Sequence, residues 1–435
     1  MKRPEIAIEH VILPNGLAVV VAPDHTAPVA TVGVYYKVGS RQDPRGRSGF
    51  AHLFEHLMFQ GSANTPKGAH IKLINSSGGR ANASTSKDLT YYFEAVPSNA
   101  LERVLWLEAD RMRALKVDDE NLRNQRDVVK EEICRNVLNQ PYGSFPWLDL
   151  PAVAFRNWAN VHSLYGTFED LDAVRLEEVQ TFFKSYYLPN NAVIVILGDI
   201  DTEEAIAMST KYFGDIPAGP RVRFADIEEP VQTEERCGFV EEKFAELPAV
   251  AVGYSIPKRG TPDWYAMALL DRFLHVGKAA KVKEGLVLDK QIAVDAFGGI
   301  DDLFDCDGPS QMVTQIHHRA DVSNETALAA FDSIIREIQQ TGVTHDELDQ
   351  TKVLFRSEYF SRLETGGSYM PRFGLMHLLA CFTLFDSNPY SVNEILYNVH
   401  QITEDQLLAV AGKYLRKDNR AIVYRVPIKR TGTKL

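Results

Sequence analysis

The chain has 435 residues, of which 45% are apolar, 24% charged and 10% aromatic, a balance that excludes disordered and fibrous classes. A single hydrophobic core stops growing at roughly 250 to 300 residues, so at least two domains are expected. The formal net charge of -11 argues against nonspecific binding to nucleic acid and mildly favours partners or substrates of positive charge.

In chain order, the opening Met1-Lys2-Arg3-Pro4-Glu5 leads into no apolar run near the length of a membrane span, so neither a signal peptide nor a transmembrane helix is read. The expected location is cytoplasmic, or periplasmic if a leader has been removed. Pro14-Asn15-Gly16 between two apolar runs reads as a hairpin turn, and Pro28 to Tyr35 is strand-like by its β-branched content. Gly49 to Phe59 carries an amphipathic helix. Its apolar stripe is Phe50, Leu53, Phe54, Leu57 and Met58, with His52, Glu55 and His56 gathered on the other side and Ser48 as the expected N-cap. Two imidazoles four residues apart on one helix can share a tetrahedral Zn²⁺ at about 2.0 to 2.1 Å, and Glu55 then lies beside the ion as a candidate base. Such a site still needs a third protein ligand. A second helix is read from Asn121 to Leu138, with Leu122, Val129, Ile133 and Val137 as its stripe. Glu132 and Gln125 lie along one edge of that stripe, while Glu131 points about 100° further away.

The second half repeats the first. Pro28 to Tyr35 is echoed by Pro248 to Tyr254. Tyr187-Leu188 running into Ala192 to Val195 is echoed by Tyr414-Leu415 running into Ala421 to Val423. Residues 215–235, with Pro217, Gly219, Pro220 and Pro230 among charges, read as a linker, and residues 429–435 as a frayed tail. The expected boundaries are 1–215, 216–235 and 236–435. Irregular alternation of strands and amphipathic helices indicates an α+β fold, with helices packed on a largely antiparallel sheet in each half. Cys134, Cys237, Cys306 and Cys381 form no C-x-x-C pair, so reduced thiols are expected. His317-His318 follows strand-like residues and faces two sides, so the two are not expected to chelate one ion; His275, His377 and His400 read as ordinary helix residues. No phosphate- or dinucleotide-binding motif follows a strand, so no organic cofactor is expected.

His52-Leu53-Phe54-Glu55-His56 is the inverted motif H-x-x-E-H, and a helical glutamate, Glu132, follows it within Gln125-Arg126-Asp127-Val128-Val129-Lys130-Glu131-Glu132. With Asn15-Gly16-Leu17, Gly39-Ser40-Arg41 and Gly78-Gly79-Arg80-Ala81-Asn82-Ala83-Ser84-Thr85 followed by Asp88, Thr90 and Tyr92, the whole chain resembles the inverzincin metallopeptidases. That group includes insulinase, pitrilysin and the mitochondrial processing peptidase, and the resemblance is strongest to members of about 420 to 450 residues. The resemblance implies two homologous domains around a clam-like cleft and one Zn²⁺ per chain. It implies His52, His56 and Glu132 as ligands, Glu55 as the general base, and zinc-dependent endopeptidase activity on extended peptides. It also implies that Ala81, Asn82, Ala83, Ser84 and Thr85 pair with substrate as an added strand, Asn82 touching its backbone.

Two departures bear on that transfer. Gln125 stands where many relatives carry a glutamate that supports the metal site from behind; an amide can orient a ligand but adds no negative charge. In the second half, Ala268 to Leu274 occupies the place of the metal motif. Val287 and Val294, within Gly285 to Val294, replace the Arg and Tyr that bind substrate and stabilise the oxyanion in single-chain relatives. The expectation is a heterodimer whose homologous partner chain supplies that pair, the alternative a non-catalytic scaffold subunit of a larger complex.

Overall fold

The structure, a computed structural model, describes residues 5–301, 303–364 and 370–428. The expected tail at 429–435 lies outside the described residues.

Among the described residues, eleven strands form two sheets. Strands β1 (Glu9–Ile12), β2 (Ala18–Pro23), β3 (Val29–Tyr36), β4 (Arg80–Thr85), β5 (Thr90–Pro97) and β6 (Ala192–Gly198) make the first, in the order β1-β2-β6-β3-β5-β4. Strands β7 (Arg236–Glu242), β8 (Ala249–Ser255), β9 (Ala293–Ile300), β10 (Gln311–His318) and β11 (Arg420–Pro427) make the second, in the order β7-β11-β8-β10-β9. Pairing is antiparallel except for β2 with β6 and β7 with β11. Without β1, which the hairpin at Pro14-Asn15-Gly16 adds, the two orders are the same. The central strand β6 is buried along its whole length, as expected of a strand covered on both faces.

The duplication read in the sequence is therefore a duplication of topology, since β3 and β8, and β6 and β11, hold matching places. Its turns are matched too. Asn191 Nδ2 donates to the carbonyls of Tyr186 and Lys37 at 2.8 and 3.3 Å, and Asn419 Nδ2 donates to those of Tyr414 and Ser255 at 2.7 and 2.9 Å. In both sheets one amide side chain thus satisfies the end of a helix and the end of the strand beside it.

By its internal contacts the chain divides into two compact units that do not follow the linear halves. The first comprises residues up to Lys130, Ser163–Asp226 and Glu358–Leu396; the second comprises Glu131–His162, Ile227–Ser357 and residues from Tyr397 onward. A segment from each sequence half thus completes the other half's unit. The physical reason lies in two glycines at matching points of the repeat. A Cβ at Gly33 would stand 2.7 Å from Met376 Sδ on the helix Phe373–Asp386, and one at Gly253 would stand 2.1 Å from Leu150 Cδ2 on the helix Asp149–Ala154. Each glycine lets a helix from the opposite half settle on the sheet. In the second unit Phe145, Leu150, Ala154 and Phe155 close a core with Ala249, Ala251, Val313, Ala421 and Val423. In the first, the helix Phe373–Asp386 is apolar all round and covers the face of Tyr35 and Tyr91, against which His377 packs at 5.5 and 4.9 Å. Residues 217–233 contain neither helix nor strand.

Candidate metal centre

The first sheet's other face carries the candidate chemistry. Helix α1 (Phe50–Leu57) packs on β4 and β5 through the expected stripe, with Phe50, Leu53, Phe54, Leu57 and Met58 each no more than 2% exposed. Burying such side chains stabilises by about 1.5 to 3 kcal/mol apiece, so the stripe fixes which face the helix shows. Ser48 is not its N-cap. Gly49 holds that position in the left-handed conformation at φ 80°, and the capping carboxylate comes from outside the helix: Asp43 accepts from the backbone N–H of Gly49 and of Ala51, both at 2.8 Å. Ser48 instead engages Asp170, which accepts from its backbone N–H at 3.0 Å and from its hydroxyl. The loop before Asp170 lies close enough that a Cβ at Gly49 would meet the Tyr165 carbonyl at 2.4 Å, and it brings the Tyr165 ring edge-on to His52 at 5.2 Å.

On the polar face, the His52 and His56 rings stand perpendicular with centroids 5.0 Å apart. Glu132 comes from helix α4, which follows α2 (Ala69–Ser76) and α3 (Leu101–Arg113) and spans Asp119–Ile133. The expected helix from Asn121 to Leu138 changes character after Ile133, where Cys134–Leu138 widens to a π-helix. Such a local widening re-aims side chains and recurs at functional sites. Leu122, Val129 and Ile133 are buried as expected, Val137 only partly; Glu131 is exposed, Glu132 half-buried and Gln125 buried. One ligand atom each of His52, His56 and Glu132 lies within 4.8 Å of the others. Ligand atoms around tetrahedral zinc sit about 3.4 Å apart, so these three are near enough to close on one ion, and two imidazoles with a carboxylate are a donor set of the hydrolytic kind. Asn136 Nδ2 reaches Glu132 Oε1 at 3.4 Å.

Strand β4 ends the sheet, and its alternation splits the five residues expected to bind substrate. Ala81, Ala83 and Thr85 pair with Glu94, Tyr92 and Thr90 on the α1 face, whereas Asn82 and Ser84 point to the other side. Thr85 is buried, and its hydroxyl donates to Glu55 Oε2 at 2.5 Å, a contact the sequence did not signal. The segment Gly39-Ser40-Arg41 braces the end of that strand: Ser40 N–H and Arg41 N–H donate to the carbonyls of Ser86 and Lys87 at 3.1 and 3.0 Å, and buried Arg41 pairs with Asp88 at 2.5 Å.

Beneath α1 sits a second polar group, His70 on α2, Glu94 on β5, and Glu108 and Arg111 on α3, all buried. His70 Nε2 is 3.1 Å from Glu94 and 3.6 Å from Glu108, and Arg111 grips Glu108 with two donors, Nε at 2.9 Å. Burial pushes Glu108 up to about 8 and raises Glu94, and burial lowers His70 to about 4. Two carboxylates facing one guanidinium thus keep a proton near neutrality. Their oxygens also lie within ligand distance of His70, but Arg111 occupies Glu108. Arg111 lies over the Tyr92 ring at 4.1 Å, and burial keeps the Tyr92 and Tyr187 phenols neutral beside Glu55.

In the second unit, Val287 lies in the π-helical segment Glu284–Asp289 and Val294 is 56% exposed on β9. Of the remaining histidines, His275, His377 and His400 do lie in helices; His317 stacks on Phe297 and His318 bonds Asn324 at 2.8 Å, so the two turn to different partners. No described helix is long and apolar enough to cross a membrane.

Comparison with known proteins adds names to this geometry. Residues 18–165 match the family model "Insulinase (Peptidase family M16)" and residues 173–354 the model "Peptidase M16 inactive domain". The chain is 30% identical to the zinc protease PqqE of Helicobacter pylori over 365 residues, covering 82% of this chain and 80% of that one. The crystal structure of a protease from Helicobacter pylori superposes with a TM-score of 0.87 at 26% identity, covering 97% of this chain and 100% of that one. The human cytochrome b-c1 complex subunit 1 is 25% identical over 269 residues, covering 60% of this chain and 54% of that one.

Proposed function

Because the chain belongs to the insulinase (M16) family, whose members include zinc proteases, we propose that it is a zinc-dependent endopeptidase acting on extended peptides. The observation that carries this reading is the convergence of His52, His56 and Glu132, from helices separate in sequence, within 4.8 Å of one another beside Glu55. They would hold one zinc ion per chain. When bound, the ion supplies a Lewis acid that polarises a carbonyl and acidifies water. Glu55 then takes the proton of the attacking water and returns it to the leaving amine. The outer strand β4 offers main-chain groups to an extended peptide, and recognition of that kind gives affinity with little sequence preference. Gln125, buried two turns before Glu132, contributes an amide that can orient a ligand or water but adds no negative charge, which leaves the site more electropositive than a glutamate would.

The second half carries valines at 287 and 294, which donate no hydrogen bond to an oxyanion, so the peptidase works as one subunit of a heterodimer whose homologous partner brings an Arg and a Tyr. The test is metal analysis with a quenched-peptide assay, on the chain alone and with a homologous partner. Expected are one zinc per chain, slow turnover alone, faster turnover with the partner, and a loss of about 10²- to 10⁴-fold in Glu55→Gln with zinc retained. Full turnover by the isolated chain sinks the heterodimer. A second reading, a scaffold subunit without catalysis, draws on the likeness to the cytochrome b-c1 subunit. A chain that binds no zinc, and whose Glu55→Gln form behaves as the parent, supports it.

A further inference from the structure

Resting on the peptidase reading, we propose that Thr85 is the positioning residue of the base: its hydroxyl holds the Glu55 carboxylate in the orientation that proton transfer needs. The donor and acceptor are 2.5 Å apart and belong to different elements, Thr85 to the last residue of β4 and Glu55 to α1. A hydrogen bond from a hydroxyl to a carboxylate is among the stronger neutral-to-charged contacts, and it restricts a side chain that otherwise has three rotatable bonds.

Three features make Thr85 a fixed point. The residue is only 7% exposed. The next residues are tied down, with Ser86 and Lys87 accepting from the backbone of Ser40 and Arg41, and Asp88 held by the buried Arg41. Gly39 permits that approach, because a Cβ there would meet the Ser86 carbonyl at 2.3 Å. Glu55 therefore takes its bearing from the rigid end of β4, while the exposed length of the same strand is left for the peptide. The consequence is a division within β4, with Thr85 serving the chemical step and the residues before it serving binding.

The competing explanation is that Glu55 merely satisfies a buried hydroxyl, and it predicts lost stability without a selective loss of turnover. Thr85→Val keeps the shape and removes the donor; Thr85→Ser keeps the donor. In the zinc-loaded full chain, Thr85→Val should lower kcat roughly 10- to 100-fold with KM within about threefold, and Thr85→Ser should regain most of the loss, with zinc content and melting temperature at the parental level. Parental kcat in Thr85→Val overturns the proposal, as does a folded, zinc-loaded Thr85→Ser as slow as the valine form. Crystals of zinc-loaded Thr85→Val give a readout independent of turnover: the Glu55 carboxylate should leave its parental position, and finding it in place overturns the proposal. Failure of the peptidase reading is distinct, because it shows as absent zinc and an unaffected Glu55→Gln form.

Discussion

The helix that follows β3 and the one that follows β8 hold the same place in two sheets of the same strand order, yet they were put to opposite uses. Helix α1 has eight residues, is capped by Asp43 from outside, and keeps Glu55 and His56 only half-buried. Its counterpart Pro262–His275 has fourteen residues, of which ten are buried, and is capped locally by Thr261, which accepts from Trp264 N–H at 3.3 Å. The counterpart's polar groups are closed on one another: His275 takes Asp271 with Nδ1 and Thr314 with Nε2, both at 2.8 Å. Burial pushes the Asp271 carboxyl up, but His275 and Arg272 outweigh it and hold the group below its ordinary value. One topology can therefore devote a helix to a site or to a core, and the length of the helix and the pairing of its polar residues settle which.

Substitutions in the two helices and in the glycines beneath their neighbours put that contrast to the test. The largest effect is expected at the ligands: His56→Ala should lower zinc affinity on the order of 100-fold or more, measured by competition with a chromophoric chelator, with the fold retained because His56 is not part of the buried stripe. Asp271→Asn removes the charge that His275 and Arg272 face in the second unit. It should cost about 3 kcal/mol in denaturant unfolding and leave zinc content unchanged; an altered zinc content would mean the two helices are not independent. Gly253→Ala and Gly33→Ala should each cost about 2 kcal/mol, because the added carbon would meet Leu150 Cδ2 at 2.1 Å in one case, and the buried Tyr35 ring at 2.6 Å and Met376 Sδ at 2.7 Å in the other. No measurable cost at either position would mean that close packing against these glycines is not what seats the exchanged helices.

The smallest effect concerns pH. With Glu108 raised to about 8 from an ordinary 4.5, the folded state holds a proton that the unfolded chain has released, so stability falls as pH rises from about 4.5 to about 8. His70, lowered to about 4, acts the other way, raising stability only between about 4 and 6.5. Of these two groups, Glu108 alone contributes between pH 7 and 8, by about 1 kcal/mol. Glu108→Gln should flatten that decline, as read from melting temperature against pH, and an unchanged slope would place the proton elsewhere.

Features with local causes were legible in the order of the amino acids. Helical spacing put His52, Glu55 and His56 on one face, because an apolar stripe of five side chains leaves a helix no other way to pack. The period of Leu122, Val129 and Ile133 chose Glu132 over Glu131, and β-branched runs repeated at matching intervals led to two like sheets. Contacts between residues far apart in the chain emerged only on folding. Asp43 rather than Ser48 caps α1, Thr85 reaches Glu55 across 30 positions, and helices from opposite halves settle against Gly33 and Gly253. Even His275 hid a role, since a helix residue by its spacing turned out to complete a buried polar knot with Thr314 on a strand. Periodicity reports which face a residue occupies, and packing in three dimensions selects which distant group that face meets.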